Sequence, residues 1–157
     1  MSTFDGIVPE FPDIRIDRFR DDPNNPRGHH ARPPLAYFLS HVHSDHLVGL
    51  ESYKGIFIYC TPATRDILLR LEKYPHRMNF ARGILEGRRQ TYKHLKGKLR
   101  AIPLETPTVV ELAPRREIRV TLFDANHCVG ACMFLIEGVS SSDRLNGRGH
   151  VADGVPG

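Results

Sequence analysis

Three histidines and a carboxylate stand within six residues, His41-Val42-His43-Ser44-Asp45-His46, directly behind the apolar run Ala36-Tyr37-Phe38-Leu39. This juxtaposition dictates a local architecture. The apolar run reads as a short buried strand, and Leu47, Val48 and Leu50 read as the start of a helix, so the polar cluster falls on a strand-to-helix loop. Period-two alternation at a strand end puts His41 and His43 on one side, and the turn can bring Asp45 and His46 round to face them. Imidazole nitrogen with carboxylate oxygen is the donor mixture of catalytic zinc sites, where one position stays open for water; structural zinc sites use cysteine more often. Asp45 also suits the N-cap of the following helix, and a lone histidine is more often packed or solvated than a ligand. Capping, however, leaves three clustered histidines without a purpose.

A chain of 157 residues, 40% hydrophobic and 25% charged, can bury one globular core. It has no apolar run long enough to span a bilayer, and Met1 to Glu10 lacks a basic start and an apolar stretch, so an intracellular location is expected. Cys60, Cys128 and Cys132 are odd in number and form no CxxC pair, which speaks against a disulfide framework and a cysteine-based zinc finger, and for reduced, mostly buried thiols. The net charge of +4 permits a polyanionic partner without requiring one. Its distribution is more telling. Between Arg82 and Arg100 lie Arg88, Arg89, Lys93, Lys96 and Lys98 against the single acid Glu86, interleaved with Tyr92 and His94. That is the makeup of a phosphate-contacting surface, although a solvated helix face fits the segment equally well.

Along the chain, Ile14-Arg15-Ile16-Asp17 alternates as a strand ending in a carboxylate, and the loop Asp21 to Pro34 carries His29 and His30, expected to be solvent-exposed. Gly55-Ile56-Phe57-Ile58-Tyr59 reads as the next strand, and Thr61-Pro62 opens a helix through about Leu71, with threonine as N-cap and proline in the first turn. A basic, partly helical region from Tyr74 to Lys98 leads into Val109-Val110 and the strand Ile118 to Leu122. The polar turn Asp124 to Gly130 then presents His127 between that strand and the strand Cys132 to Ile136. With a zinc-like cluster upstream, a rigidly framed histidine is the natural extra ligand. Residues 139–157 are rich in Ser, Gly and charge without apolar periodicity and read as a disordered tail, in which His150 is not expected to be a ligand.

The HxHxDH cluster behind a buried strand, with a further histidine on a later strand turn, resembles the metallo-β-lactamase fold. More narrowly, Phe4-Asp5-Gly6, Ile16-Asp17-Arg18-Phe19, Ala36 to His41, Tyr59-Cys60-Thr61-Pro62, Glu105-Thr106-Pro107-Thr108 and His127 to Leu135 resemble the DNA-repair nucleases of the metallo-β-lactamase/β-CASP family over about Thr3 to Gly138. The resemblance implies an α/β fold in which residues 1–138 form the N-terminal half of a metallo-β-lactamase αββα sandwich. It implies that His41, His43 and His127 hold one zinc ion, that Asp45 and His46 face a second metal position, and that Asp17 is the first-motif aspartate beside the ligand loop. Asp45 would orient the attacking water or take its proton. The implied reaction is phosphodiester hydrolysis in the nucleus on DNA ends, hairpins and overhangs, by 5′-exonuclease or structure-specific endonuclease action. It would serve end joining or interstrand-crosslink repair, with end-joining kinase and ligase factors as partners.

A chain that starts so close to its first strand favours the end-joining member over its crosslink-repair relatives. After Gly138 the family continues into a strand ending in Thr-Gly-Asp, whose aspartate bridges the metals, and into the β-CASP insertion; neither is present in these 157 residues. An incomplete gene product is one expectation, because codons for Val139-Ser140 can spell a splice-donor start. Continuous non-family coding sequence past codon 138 would overturn it. Two further readings stay open from sequence: the same fold acting on RNA 3′ ends, thioesters or lactones, and a catalytically inactive binding fragment.

Overall fold

The computed structural model describes residues 4–20 and 33–139. The chain is α/β. Three short parallel strands, β1 (Ile14–Ile16), β2 (Ala36–Phe38) and β3 (Ile58–Cys60), form one sheet. Between β3 and the fourth strand of that sheet run α1 (Pro62–Arg70) and four two- to four-residue strands, β4 (Glu72–Lys73), β5 (His76–Asn79), β6 (Ile84–Gly87) and β7 (Gln90–Thr91). Strand β8 (Leu99–Ala101) then returns beside β3, giving the order β1-β2-β3-β8. A second sheet, antiparallel and ordered β11-β10-β9, is a meander of β9 (Thr108–Ala113), β10 (Arg116–Asp124) and β11 (Cys132–Gly138).

The two sheets pack face to face. Ile14, Ala36 and Phe38 of the parallel sheet and Val110, Ile118, Val120, Leu122 and Cys132 of the meander share one buried cluster. The other face of the parallel sheet buries Leu39, Ile58 and Cys60 against Leu47, Leu50, Leu68 of α1, Tyr92 and Leu95. A parallel strand covered on both faces is predominantly apolar, which is why Ala36 to Leu39 carries no charged residue. Full burial of side chains such as Phe38 stabilises the fold by about 1.5–3 kcal/mol each. Helix α1 forms as its sequence predicts: Thr61 Oγ1 accepts the Thr64 amide at 3.1 Å and Pro62 occupies the first turn.

Two segments differ from expectation. The stretch after the histidine cluster makes 3-10 turns at Ser44–Leu47 and Leu50–Ser52 instead of a helix. Gly49 interrupts them at φ +94°, and its Cα lies so close to Phe19 and Arg20 that an added Cβ would meet their backbone at 2.9–3.0 Å. The region from Tyr74 to Lys98, expected to be partly helical, is mostly extended: β4 pairs with β7, β5 with β6, and only Lys93–Leu95 makes a 3-10 turn. Local turn chemistry explains this. Asn79 accepts the Arg82 amide through its carbonyl and side chain, Gly83 takes φ +65°, and a four-residue β-hairpin loop closes where no helical periodicity competes.

His29, His30, His150 and, apart from Val139, the expected tail lie outside the described residues. Among the described residues, no helix is long and apolar enough to cross a membrane. Cys60 and Cys132 are buried and Cys128 is half-buried, all three as free thiols. Burial pushes the Cys60 and Cys132 thiols up to about 12, so neither ionises near neutrality. A thiol reagent such as DTNB at pH 8 is therefore expected to modify one cysteine rapidly in the folded chain and three after denaturation; rapid reaction of two or more in the folded chain would contradict the packing of the sheets.

Candidate metal centre

The strands of the first sheet are parallel, so their C-terminal ends lie along one edge, and the polar residues that follow them meet there. Asp17 follows β1, Ser40 to His46 follow β2, and Thr61 follows β3. The second sheet reaches the same edge. The Cys132 amide at the start of β11 donates to the Ser40 carbonyl at 3.1 Å, bringing the β10–β11 turn and its His127 over the histidine loop.

That turn is fixed from below by α1. Both threonine hydroxyls of its first turn, Thr61 Oγ1 and Thr64 Oγ1, donate to the Gly130 carbonyl at 2.7 and 2.8 Å. Gly130 sits at φ +82°, where a Cβ would lie 2.7 Å from the Thr64 nitrogen. Within the turn, Asp124 accepts the Asn126 amide at 2.7 Å, with Asn126 itself at φ +49°. A hollow of about 400 Å³ opens beside His127, lined by Leu104, Asp124, Cys128 and Val129.

Two groups of donors result, with His41 in both. One comprises His41, His43 and His127; the other comprises Asp17, His41 and His46, and in each the donor atoms lie within 4.8 Å of one another. In the first group, His43 Nδ1 is 3.1 Å from His41 Nε2 and 3.3 Å from His127 Nε2. In the second, His46 Nδ1 stands 2.9 Å from an Asp17 carboxylate oxygen but out of hydrogen-bond alignment, leaving a buried ring nitrogen without a hydrogen-bond partner. The chain thus has a His/Asp group able to hold a metal ion.

A hydrogen-bond chain sets the ring of His41. Asp17 accepts the Ser40 amide at 2.7 Å and the Ser40 hydroxyl at 2.5 Å, and the same hydroxyl oxygen lies 2.8 Å from His41 Nδ1. An ionised carboxylate only accepts, so the single hydroxyl proton goes to Asp17. The Ser40 oxygen must then accept from His41 Nδ1–H, a tautomer assigned from this network, which leaves the Nε2 lone pair aimed at His43. Burial, followed by the neighbouring His46 ring, lowers the His41 pKa, with Asp17 opposing the shift.

Of the residues expected at the site, Asp45 is the one left outside both donor groups. It sits in the 3-10 turn with its side chain 54% exposed, and its nearer oxygen is 3.7 Å from His46 Nε2. Its own backbone amide, with His46 contributing, holds the carboxyl below its ordinary range. Ser40 carries no sequence signal of its own, because its partner Asp17 is 23 residues away; Thr61 is visible in the sequence only as a helix cap.

The basic residues divide. Arg89 pairs with Glu72, Lys93 Nζ lies 3.9 Å from the same carboxylate, and Lys98 donates to the Lys54 and Gly55 carbonyls. Arg88 and Lys96 are exposed and have no ion-pair partner among the described residues.

Replacing Gly130 with alanine combines strain at positive φ with the clash against Thr64. A loss of about 1–3 kcal/mol in chemical denaturation is expected, and a variant as stable as the parent would contradict the packing of the His127 turn.

No family model matches the chain. Curated relatives do. The chain is 36% identical to Protein artemis of Rattus norvegicus and 35% identical to Protein artemis of Homo sapiens, each over 98% of this chain and 20% of the relative. It is 38% identical to the 5′ exonuclease Apollo of Gallus gallus over 65% of this chain and 17% of that protein. The chain spans about a fifth of the length of the artemis relatives it matches. It is a homologue of the artemis proteins over nearly all of its length, and of Apollo over about two thirds of it.

Proposed function

We propose that this chain carries the N-terminal part, residues 1–138, of a zinc-dependent DNA-repair nuclease of the metallo-β-lactamase/β-CASP type. Its two facing sheets with α1 outside the first would be half of the αββα sandwich. The observation that carries the reading is the convergence of His41, His43 and His127 from two different sheets, with ring nitrogens 3.1–3.3 Å apart in sequence along the group. Nitrogens bound tetrahedrally at zinc bond lengths of about 2.0–2.1 Å stand about 3.3 Å from each other, which the two spacings to His43 match, and the third pair lies within 4.8 Å. The exonuclease named among the relatives favours phosphodiesters over thioesters or lactones as substrate.

His41, His43 and His127 hold the first ion in this reading, and His46 and Asp17 face the second position. A divalent cation held there would supply Lewis acidity, lowering the pKa of water and offsetting negative charge on the phosphoryl oxygens. The chain's own residues do the positioning. Asp17 and Ser40 fix the tautomer and the ring plane of His41, as carboxylate-linked partners do for metal-ligating histidines. Asp45, half in solvent beside His46, would orient the attacking water or take its proton in this reading. Arg88 and Lys96, and at their shifted pairings Arg89, Lys93 and Lys98, would meet DNA phosphates. DNA ends, hairpins and overhangs are the proposed substrates, the nucleus the proposed location, and end-joining kinase and ligase factors the proposed partners of the longer protein.

Metal analysis of the purified chain tests the centre. The parent is expected to retain at least one zinc equivalent after dialysis, and the His41→Ala/His43→Ala double variant none; zinc retained by the double variant would overturn the ligand assignment. Ser40→Ala frees the His41 ring and is expected to weaken zinc affinity about 10- to 100-fold in a chelator competition, the range typical of lost outer partners. An unchanged affinity would remove Ser40 from the positioning role.

A further inference from the structure

The hairpin of β5 and β6 stands apart from both main sheets and belongs to neither of the two buried clusters. Its register pairs Met78 with Leu85 on one face and Asn79 with Ile84 on the other, so apolar side chains point out on both sides. Met78, Leu85 and Ile84 are 51%, 63% and 48% exposed, and Phe80 at the tip is 92% exposed. A two-stranded ribbon of this kind is marginal in water by itself, and an apolar cluster left open to solvent signals a contact surface.

Charge identifies what the surface meets. From Lys73 to Lys98 the chain has eight Lys and Arg residues, Lys73, Arg77, Arg82, Arg88, Arg89, Lys93, Lys96 and Lys98, against the single acid Glu86. Glu86 lies 3.4 Å from Arg82 and Glu72 is taken by Arg89, while Arg77, Arg88 and Lys96 have no carboxylate partner among the described residues. Exposed aromatic and apolar side chains flanked by unpaired cations match an unpaired nucleic-acid strand, which offers π-faces and phosphates together; duplex DNA offers only the phosphates to such a tip. The placement suits an end-processing centre. Helix α1 starts at the His127 turn and, at nine residues, carries the chain roughly 13 Å away before the hairpin begins, and His94 on the return path bonds the Leu50 carbonyl just past the histidine loop.

We infer that the β5–β6 hairpin is a docking arm for single-stranded DNA, with Phe80 stacking on a base and Arg77 and Arg88 holding the flanking phosphates. The inference rests on the nuclease reading only for the choice of DNA as the polyanion. Binding of fluorescent DNA to the 157-residue chain tests it, with a blunt duplex and the same duplex bearing a single-stranded overhang as probes. Phe80→Ala, a change at an almost fully exposed side chain, is expected to weaken overhang binding roughly 5- to 100-fold and to leave blunt-duplex binding unchanged. Arg77→Ala/Arg88→Ala is expected to lower the slope of log affinity against log salt by about 1.4 for a single strand. Overhang binding unaffected by Phe80→Ala, or affinity for the overhang no greater than for the blunt duplex, overturns the arm. The His41→Ala/His43→Ala variant separates the two readings: it loses zinc but keeps the overhang preference if the arm is right, and retained zinc would sink the metal centre while leaving the Phe80 result to stand or fall alone.

Discussion

The 2.5 Å contact between Asp17 and the Ser40 hydroxyl is the interaction on which the site depends. It joins the ends of adjacent parallel strands, and it occupies the one proton Ser40 has to give. Everything downstream follows from that occupancy: His41 must donate from Nδ1, its Nε2 lone pair must face the cluster, and His43 and His127 then complete a set of nitrogens around one point. A carboxylate placed one residue along, or a serine replaced by a residue without a hydroxyl, would leave the ring free to turn. The backbone supports this geometry at a cost, since Asp17 adopts φ +54°, a conformation uncommon for a residue with a side chain.

Much of this was legible in the sequence, for physical reasons that differ from place to place. The strand β2 was visible because a strand buried on both faces is predominantly apolar, and α1 because threonine followed by proline is a helix start whose chemistry is local. His127 was visible because a polar turn between two alternating runs has to present its side chains from a rigid frame. The hairpin from His76 to Gly87 was not legible, because its shape comes from Asn79 and Gly83 closing a turn, and its strands bury no face that could impose a period of two. Asp45 and His46 looked equivalent in the sequence. The 3-10 geometry after the histidine loop separates them, turning His46 inward toward Asp17 and leaving Asp45 in solvent.

The fold also shows how a centre can be built from unequal parts. The parallel sheet contributes Asp17, His41, His43 and His46 from loops at its C-terminal edge, the usual place for function in such sheets. The meander contributes one residue, His127, but controls it tightly: Gly130 is gripped by two hydroxyls of α1, and Asp124 and Asn126 shape the other side of the turn. Precision at His127 therefore depends on helix α1, an element that contributes no donor to the centre.

The hydrogen bond from Cys132 to Ser40 joins the sheets at this edge, with His127 on the turn of one sheet and His41 and His43 on the loop of the other. A ligand set divided in that way behaves as a removable cross-link. Any ion it holds would tie the two sheets together at the edge of their shared core, next to Cys132, and by mass action the free concentration of that ion would enter the folding equilibrium itself. In such a chain metal supply would add to conformational stability, and a chelator would lower it without abolishing the core that the two sheets already share.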